Sequence, residues 1–514
     1  MTQLSRRDVL KLSLATLGGA ALTTLAPSMV RMARGASDRP NVLMLVFDTL
    51  SAPHMSLQGY GRATTPHLEE FAQTATVYHN HYSAGSFTTP GTASILTGLE
   101  PWHHRALSPS AMVKRSLASN NIFNIARNDY FRVGFTQNLM AEVFLRQFSS
   151  DLDLHLPTQS FAYNNPLLLG QMDPSDPLTY LAFDDFLVGG FKFDTPYPGS
   201  VTLGLLDQIL QRGAGVHPEL KHNARKDTAF NGYFYYQNRI VFDGIFRTLQ
   251  ILHDEDRTPY LGYFHLWSPH EPYSPTREFA GLFEGDNLKP SAKPDHPFAS
   301  APLFKPKELI QYQRVYDQYI TNVDAEFGRL MSSMSDSGML DNTYVIVLSD
   351  HGQLFERGVH GHASRLLYDG VIRVPLLIRS PGQTRRVDVH EATSNVDLVP
   401  TLASIMGNDS PVQTDGRILP GLGGASDTDR SLFAMLANES SAFGQLKTGT
   451  FVLVKGGRKL LYFSGYEGYE DRLELYDLES DPNELRDLSA DDPTKTKRML
   501  DELLQARLSA DIMK

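Results

Sequence analysis

The 514-residue chain contains no cysteine. That excludes disulfides, cysteine zinc sites, thioether-linked haem, thiol catalysis and any cofactor made by modifying a cysteine. Basic charge is also scarce. Lys and Arg number 47 against 58 Asp and Glu, a formal net charge of −11. A general nucleic-acid binder, which must replace phosphate counterions with basic surface, is therefore not expected. No apolar run reaches the roughly 20 residues that span a bilayer, and internal repeats and low-complexity tracts are lacking. What remains is an ordinary globular mixture, 41% hydrophobic and 20% charged. At about 100–200 residues per domain it suggests two to four domains or one large one.

Residues 1–36 read as a targeting segment. Ser5-Arg6-Arg7-Asp8-Val9-Leu10-Lys11 places twin arginines before the apolar stretch Leu12 to Leu25, and small residues follow to Gly35-Ala36. The pattern is that of a twin-arginine export signal, which predicts a periplasmic mature protein with no stable membrane span. The alternative is an uncleaved anchor, which the short apolar stretch disfavours.

Asn41 to Phe47 (NVLMLVF) is apolar without alternation, as in a strand buried on both faces of a parallel sheet. Tyr260–His265, Tyr344–Leu348 and Val374–Ile378 read as further strands. Thr65-Pro66 predicts a helix start. Tyr316, Tyr319, Ile320, Val323, Phe327, Leu330 and Met334 trace one helical face ended by Gly338. Strands alternating with helices predict an α/β fold with a mostly parallel sheet. A Gly/Pro/Ser/Asp-rich stretch from Gly407 to about Arg430 reads as linker or loop. Beyond it, Phe451–Val454 and Lys459–Phe463 read as strands about the turn Gly456-Gly457, and Met499 to Leu508 as a closing helix. The expected domains are 1–36 (signal), 37–415 (catalytic) and 416–514 (a small α+β subdomain).

Ligand sites of parallel sheets gather at the carboxyl ends of strands. Asp48 follows the first strand, Asp350 and His351 the third, and His270 the second. Their convergence suits a divalent cation, although taken singly an Asp after a strand is more often a helix cap and a lone His more often a satisfied loop residue. Thr88, in Ser86-Phe87-Thr88-Thr89-Pro90-Gly91-Thr92, is the nucleophile candidate. Thr89 would cap a helix that Pro90 opens, setting the hydroxyl near the positive end of the helix dipole; the plainer reading is capping alone. His360 and His362 stand in a Gly-spaced loop past the Asp-His pair, where one of them would bind a substrate oxygen or donate a proton.

Taken in order, these motifs resemble the sulfatase branch of the alkaline phosphatase superfamily. Asn41 through Asp48-Thr49-Leu50, Gly59-Tyr60-Gly61 and Thr65-Pro66-His67-Leu68 resemble its opening; Thr88-x-Pro90 to Thr97-Gly98 its nucleophile segment; Pro269-His270-Glu271-Pro272-Tyr273 its histidine loop. Ser349-Asp350-His351-Gly352, Gly361-His362 and Val371 to Leu376 resemble its second metal segment. Asp397 to Leu402 matches a later helix, and Leu475-Tyr476-Asp477-Leu478 with Asp481-Pro482-Asn483-Glu484 its C-terminal signature. The resemblance covers about 40–105 and 258–488. Residues 106–257, aromatic-rich around Phe234-Tyr235-Tyr236, are unmatched and are expected to form a substrate lid or core.

The resemblance implies an alkaline-phosphatase-like α/β sandwich. It implies one divalent metal on Asp48, Asp350, His351 and Thr88, with His270 and His362 contacting the transferred and leaving groups. The departures matter as much. The family's formylglycine is made from Cys or Ser in a C/S-x-P-x-R motif, whereas Thr88 and Thr92 stand at its first and last positions. No formylglycine is expected. Thr49 stands where a second Asp helps hold calcium. The family's lysine-histidine loop is not recognisable, and Thr136-Gln137-Asn138 lies near its place. Manganese or zinc is therefore favoured, with calcium the alternative. A formylglycine hydrate sheds sulfate as its aldehyde reforms, which threonyl sulfate cannot do; threonyl phosphate opens by water attack at phosphorus. The expected activity is a Thr-dependent phosphodiester, phosphonate or phosphate ester hydrolase acting on a small-molecule, lipid or glycan ester. The alternatives are a sulfuric ester hydrolase lacking formylglycine and a silent anion-binding member.

Overall fold

The computed structural model describes residues 39–162 apart from 127–128, the pair 229–230, and 235–512 apart from 287, 289–292, 300–302, 409–412, 439 and 441–443. The export segment 1–36, and residues 163–228 and 231–234 of the unmatched stretch, lie outside the described residues.

An eight-stranded sheet forms the body. In chain order its strands are β1 (Asn41–Phe47), β2 (Thr76–Tyr78), β3 (Phe131–Thr136), β4 (Leu154–Leu156), β5 (Tyr260–Leu266), β6 (Thr343–Ser349), β7 (Leu376–Arg379) and β8 (Val387–Val389). In space they run β8-β2-β7-β6-β1-β5-β3-β4. β1 lies at the centre, parallel to β5 on one side and β6 on the other. β3 pairs parallel with both β5 and β4, and only β7 runs antiparallel to its neighbours. The α/β fold and mostly parallel sheet expected from the strand pattern are thus present. The expected strand at Val374 begins two residues later, past Pro375, which has no N–H to give a ladder.

The unbroken apolar run of β1 is explained by cover on both faces. Leu43, Leu45 and Phe47 join one core with α1 (Pro66–Ala72), α4 (Asn238–Asp254) and α5 (Pro306–Asp336). Val42, Met44 and Val46 join a second with α2 (Thr88–Thr97), α3 (Leu139–Gln147) and α6 (Leu398–Ile405). Each such side chain, withdrawn from water, contributes about 1.5–3 kcal/mol. On α5 the predicted face from Tyr316 to Met334 is buried, and Gly338 (φ +72°) follows its end.

Of two predicted helix starts, the one at Thr65-Pro66 holds and the other shifts. Thr65 occupies the N-cap of α1 but does not cap it, because its hydroxyl is engaged by Ser56 and the Leu57 N–H. The buried Asp324 of α5 accepts the His67 and Leu68 N–H groups instead. Helix α2 opens at Thr88, not after Thr89, since Gly91 N–H already donates to the Phe87 carbonyl. Phe87 holds the cap position and Pro90 falls in the first turn.

A four-stranded antiparallel sheet follows: β9 (Leu432–Leu436), β10 (Gly449–Lys455), β11 (Arg458–Ser464) and β12 (Arg472–Asp477), with α7 (Pro493–Ile512) against it. Buried Lys459 of β11 pairs with Asp369 (2.9 Å) and Glu484 (2.7 Å), tying this sheet to the segment behind Asp350. No helix among the described residues is long and apolar enough to cross a membrane.

Candidate metal centre and active site

Three neighbouring strands end at the same edge. Asp48 follows β1, Asp350 and His351 follow β6, and His265 is the penultimate residue of β5. All four side chains are fully buried. Asp48, Asp350 and His351 each offer a ligand atom within 4.8 Å of the others. His351 Nε2 stands 3.4 Å from Asp48 Oδ1 and 3.5 Å from Asp350 Oδ2. Among the described residues neither oxygen has a hydrogen-bond partner. His351 Nδ1 lies 2.9 Å from the Gly352 carbonyl, which as an acceptor fixes the proton on Nδ1 and leaves Nε2 as the lone-pair nitrogen of the neutral ring.

Electrostatics fit a cation. Burial opposes the charge of Asp48, but the imidazoles of His270, His351 and His265 outweigh it and hold the carboxyl well below its usual range. Burial, with the Asp48 charge added, pushes Asp350 up. His351 is raised to about 9: burial disfavours its charge, and Asp350 and Asp48 more than compensate. Two carboxylates in one dry site thus draw positive charge to themselves. The orphaned Asp48 Oδ1 and Asp350 Oδ2 are what a divalent ion would satisfy, so the residues present fit one.

The loop after Asp48 is held from behind. Tyr316 donates to the Thr49 carbonyl (2.6 Å) and accepts from the Ser51 N–H (3.0 Å). Thr49 itself sits at φ +65°, a left-handed conformation costly for a β-branched residue. This backbone turn lets the Thr49 N–H reach Asp350.

Thr88 joins the cluster from α2. Its Oγ1 lies 3.4 Å from His351 Nε2 and accepts a 3.1 Å hydrogen bond from Asn138 Nδ2. The same amide donates to Asp48 Oδ2. Asn138 Oδ1 accepts from the Met140 N–H, capping α3. Gly91 lets α2 come this close: a Cβ there would stand 2.3 Å from the Asp350 carbonyl.

Two further histidine rings line the opposite side. His270 and His362 have centroids 4.9 Å apart, and His362 is 4.5 Å from His351. His270 Nδ1 donates to the Glu271 carbonyl and His362 Nδ1 to Gln353 Oε1 at 2.7 Å, so each neutral ring keeps its lone pair on Nε2. Burial and the nearby imidazoles of His351 and His270 hold His362 well below the usual histidine range. His360 belongs elsewhere. Its ring stacks on Tyr312 at 4.4 Å and its Nε2 lies 3.0 Å from the Tyr273 hydroxyl. Gly361, at φ +135°, breaks the strand and separates the two histidines.

The structure therefore brings together Asp48, Thr88, His270, Asp350, His351 and His362, and leaves His360 out. A domain model for "Sulfatase" matches residues 40–408. The chain belongs to the sulfatase family. It is an ester hydrolase of the alkaline phosphatase superfamily, a group whose sulfatase members use a divalent metal. A second model, "N-sulphoglucosamine sulphohydrolase, C-terminal", matches residues 358–511. The choline-sulfatase of Rhizobium meliloti is 24% identical over 88% of this chain and 82% of its own. The multifunctional alkaline phosphatase superfamily protein PehA of Trinickia caryophylli is 23% identical over 88% and 92%. Among solved structures, the phosphonate monoester hydrolase of Agrobacterium radiobacter superposes with a TM-score of 0.65 at 21% identity, covering 92% of this chain and 96% of that one.

Two site residues were less legible in this sulfatase-family sequence. Asn138 had only its position near the missing lysine-histidine loop to mark it. His265 lay inside an apolar strand and read as core.

Proposed function

We propose that this chain is an exported, metal-dependent hydrolase of phosphodiester, phosphonate or phosphate esters that uses Thr88 as nucleophile. The observation that carries the reading is the Thr88 hydroxyl, an unmodifiable alcohol in a cysteine-free chain, held 3.4 Å from His351 Nε2 beside the two carboxylates. Similarity to a phosphonate monoester hydrolase supports it.

Asp48, Asp350, His351 and Thr88 would hold the ion, with manganese or zinc preferred over calcium. When bound, a divalent cation supplies Lewis-acid charge that lowers the pKa of a nearby hydroxyl and steadies a developing oxyanion. Asn138 Nδ2 donates to Thr88 Oγ1 and stabilises its alkoxide form. His362, kept neutral by burial, takes the Thr88 hydroxyl proton through Nε2 as Thr88 Oγ1 attacks phosphorus in line; the Oγ1–P bond forms as the bond from phosphorus to the leaving oxygen breaks. His270, entering as the imidazolium with its Nδ1–H on the Glu271 carbonyl, gives its Nε2 proton to the leaving oxygen, a contribution of about 10²–10⁴ in rate. The same ring, now neutral with its lone pair on Nε2, accepts the proton of the incoming water. Water oxygen then bonds to phosphorus, the Oγ1–P bond breaks, and Thr88 recovers its proton from His362.

The test is a pair of nitrophenyl substrates, one phosphodiester and one sulfate ester. Faster turnover of the phosphodiester is expected, and Thr88→Ala abolishes it while the metal stays largely bound through Asp48, Asp350 and His351. Preferential sulfate turnover favours the sulfatase activity named in R. meliloti choline-sulfatase, and unchanged turnover in Thr88→Ala removes Thr88 from the chemistry. Export rests on Arg6-Arg7. Replacing both with Lys should retain the enzyme in the cytoplasm, and periplasmic activity in that variant would refute this route.

A further inference from the structure

Tyr273 of the histidine loop and His360 take no part in the reaction described so far. Gln353 joins both to the site. It is fully buried, and its backbone N–H donates to the Gly370 carbonyl at 2.9 Å. Its side-chain oxygen accepts the His362 Nδ1–H at 2.7 Å, and its amide nitrogen donates to the Tyr273 hydroxyl at 2.8 Å. Tyr273 is held in turn. Its ring packs against Tyr316, with centroids 5.4 Å apart, and against Phe355 at 6.2 Å. Its oxygen lies 3.0 Å from His360 Nε2. Glu271 Oε2 stands 3.4 Å from the same nitrogen, beyond the usual reach of an N–H···O bond, about 2.7–3.2 Å.

This chain of contacts has one direction from end to end. An amide carries its donor and its acceptor on different atoms, so it cannot treat both neighbours alike. The Tyr273 oxygen accepts from Gln353, so its own hydrogen goes to His360 Nε2, and the His360 proton sits on Nδ1. The Gln353 oxygen faces His362, so that ring also carries its proton on Nδ1. Its Nε2 keeps the lone pair, the form that takes the Thr88 proton. Turning the amide over reverses every link. His362 Nδ1 becomes an acceptor, Nε2 carries the hydrogen, and the ring can no longer act as base. Without the Tyr273 hydroxyl, nothing at the far end of the amide distinguishes the two orientations.

We infer that Gln353 and Tyr273 are positioning residues that lock the His362 proton on Nδ1 and so keep its Nε2 ready for the Thr88 hydroxyl, with His360 anchoring the far end of the chain. This rests on the Thr88 hydrolase reading above and deepens it.

The test reads the tautomers directly. Zn²⁺-loaded protein with ¹⁵N-labelled histidine rings is measured by long-range ¹H–¹⁵N correlation at mildly alkaline pH, with His360→Asn and His362→Asn identifying the two signals. Both rings are expected to carry the proton on Nδ1. Gln353→Met fills the same space without either hydrogen bond, and His362 should then show a mixture of tautomers. Its kcat on the nitrophenyl phosphodiester should fall at least about tenfold, a part of the roughly 10²–10⁴ that a general base contributes. KM should stay within about threefold, as for an interaction that acts on the chemical step. Tyr273→Phe keeps the ring but frees the amide to turn, and should give the same mixture with a smaller loss. Gln353→Glu keeps the acceptor, so His362 should remain protonated on Nδ1 and turnover should exceed that of Gln353→Met. A wild-type His362 protonated on Nε2 overturns the proposal, as does Gln353→Met with tautomer and kcat unchanged. Should Gln353→Met fail to fold, the wild-type tautomers and Tyr273→Phe decide. Wild type that does not turn over the phosphodiester overturns the hydrolase reading on which the lock rests; active wild type with His362 protonated on Nε2 overturns only the lock.

Discussion

Asn138 offers a sharp test, because one side chain serves two separable purposes. Its amide nitrogen donates to Asp48 Oδ2 and to Thr88 Oγ1, while its oxygen caps α3 through the Met140 N–H. Serine is a good N-cap but too short to carry an amide to both partners. In Asn138→Ser the cap survives and the two donations are lost; in Asn138→Ala all three go. Loss of one donor to a developing oxyanion costs about 10²–10³ in kcat, or about 2.7–4 kcal/mol. Loss of a cap costs about 1 kcal/mol of stability. Both variants should therefore lose about 10²–10³ in kcat on the nitrophenyl phosphodiester. The alanine variant should in addition unfold with about 1 kcal/mol less stability in urea than the serine variant. Serine retaining kcat within threefold would refute the role of the amide, and equal stability of the two variants would refute the cap.

Three other outcomes follow from the geometry. Gly91→Ala places a Cβ 2.3 Å from the Asp350 carbonyl; α2 must shift, and Mn²⁺ affinity measured by calorimetry should fall even where circular dichroism shows a folded chain. Lys459→Met strands the buried carboxylates of Asp369 and Glu484, so urea denaturation should show a loss of about 3–5 kcal/mol; a loss under 1 kcal/mol would contradict the pairing. Burial lowers His81 to about 4 and His104 to about 3. The unfolded chain binds protons at these positions below about pH 6.5 and the folded chain does not, so stability falls as pH drops from 6.5 towards 4. At pH 5 each costs about 2 kcal/mol, which His104→Gln should partly restore in a pH series of thermal melts.

The chemistry-bearing residues at strand ends were legible because topology, more than side-chain detail, brings them together. An apolar run followed by Asp48, and another followed by Asp350-His351, needs only a parallel sheet for the three to meet. The start at Thr65-Pro66 was legible, but its capping partner and the start of α2 were less so, since capping preferences describe isolated helices. Tertiary partners decided otherwise: Asp324 replaced Thr65, and the Gly91–Phe87 bond moved the start of α2 to Thr88. His360 and His362 were indistinguishable as a pair, because what separates them is the backbone angle of Gly361. His265 gave no signal at all, as a histidine between Phe264 and Leu266 reads as packing until its neighbours across the sheet are known.

That sheet has a consequence for how this enzyme can change. Strand spacing of about 4.8 Å is dictated by main-chain hydrogen bonding, and the residues that end β1, β5 and β6 inherit it. Loops bearing on the substrate can lengthen, shorten or exchange side chains while the distances among the acid and imidazole groups stay put. Specificity is thereby free to drift, whereas a one-residue slip of any of these strands would turn its contribution to the opposite face and dismantle the centre in a single step.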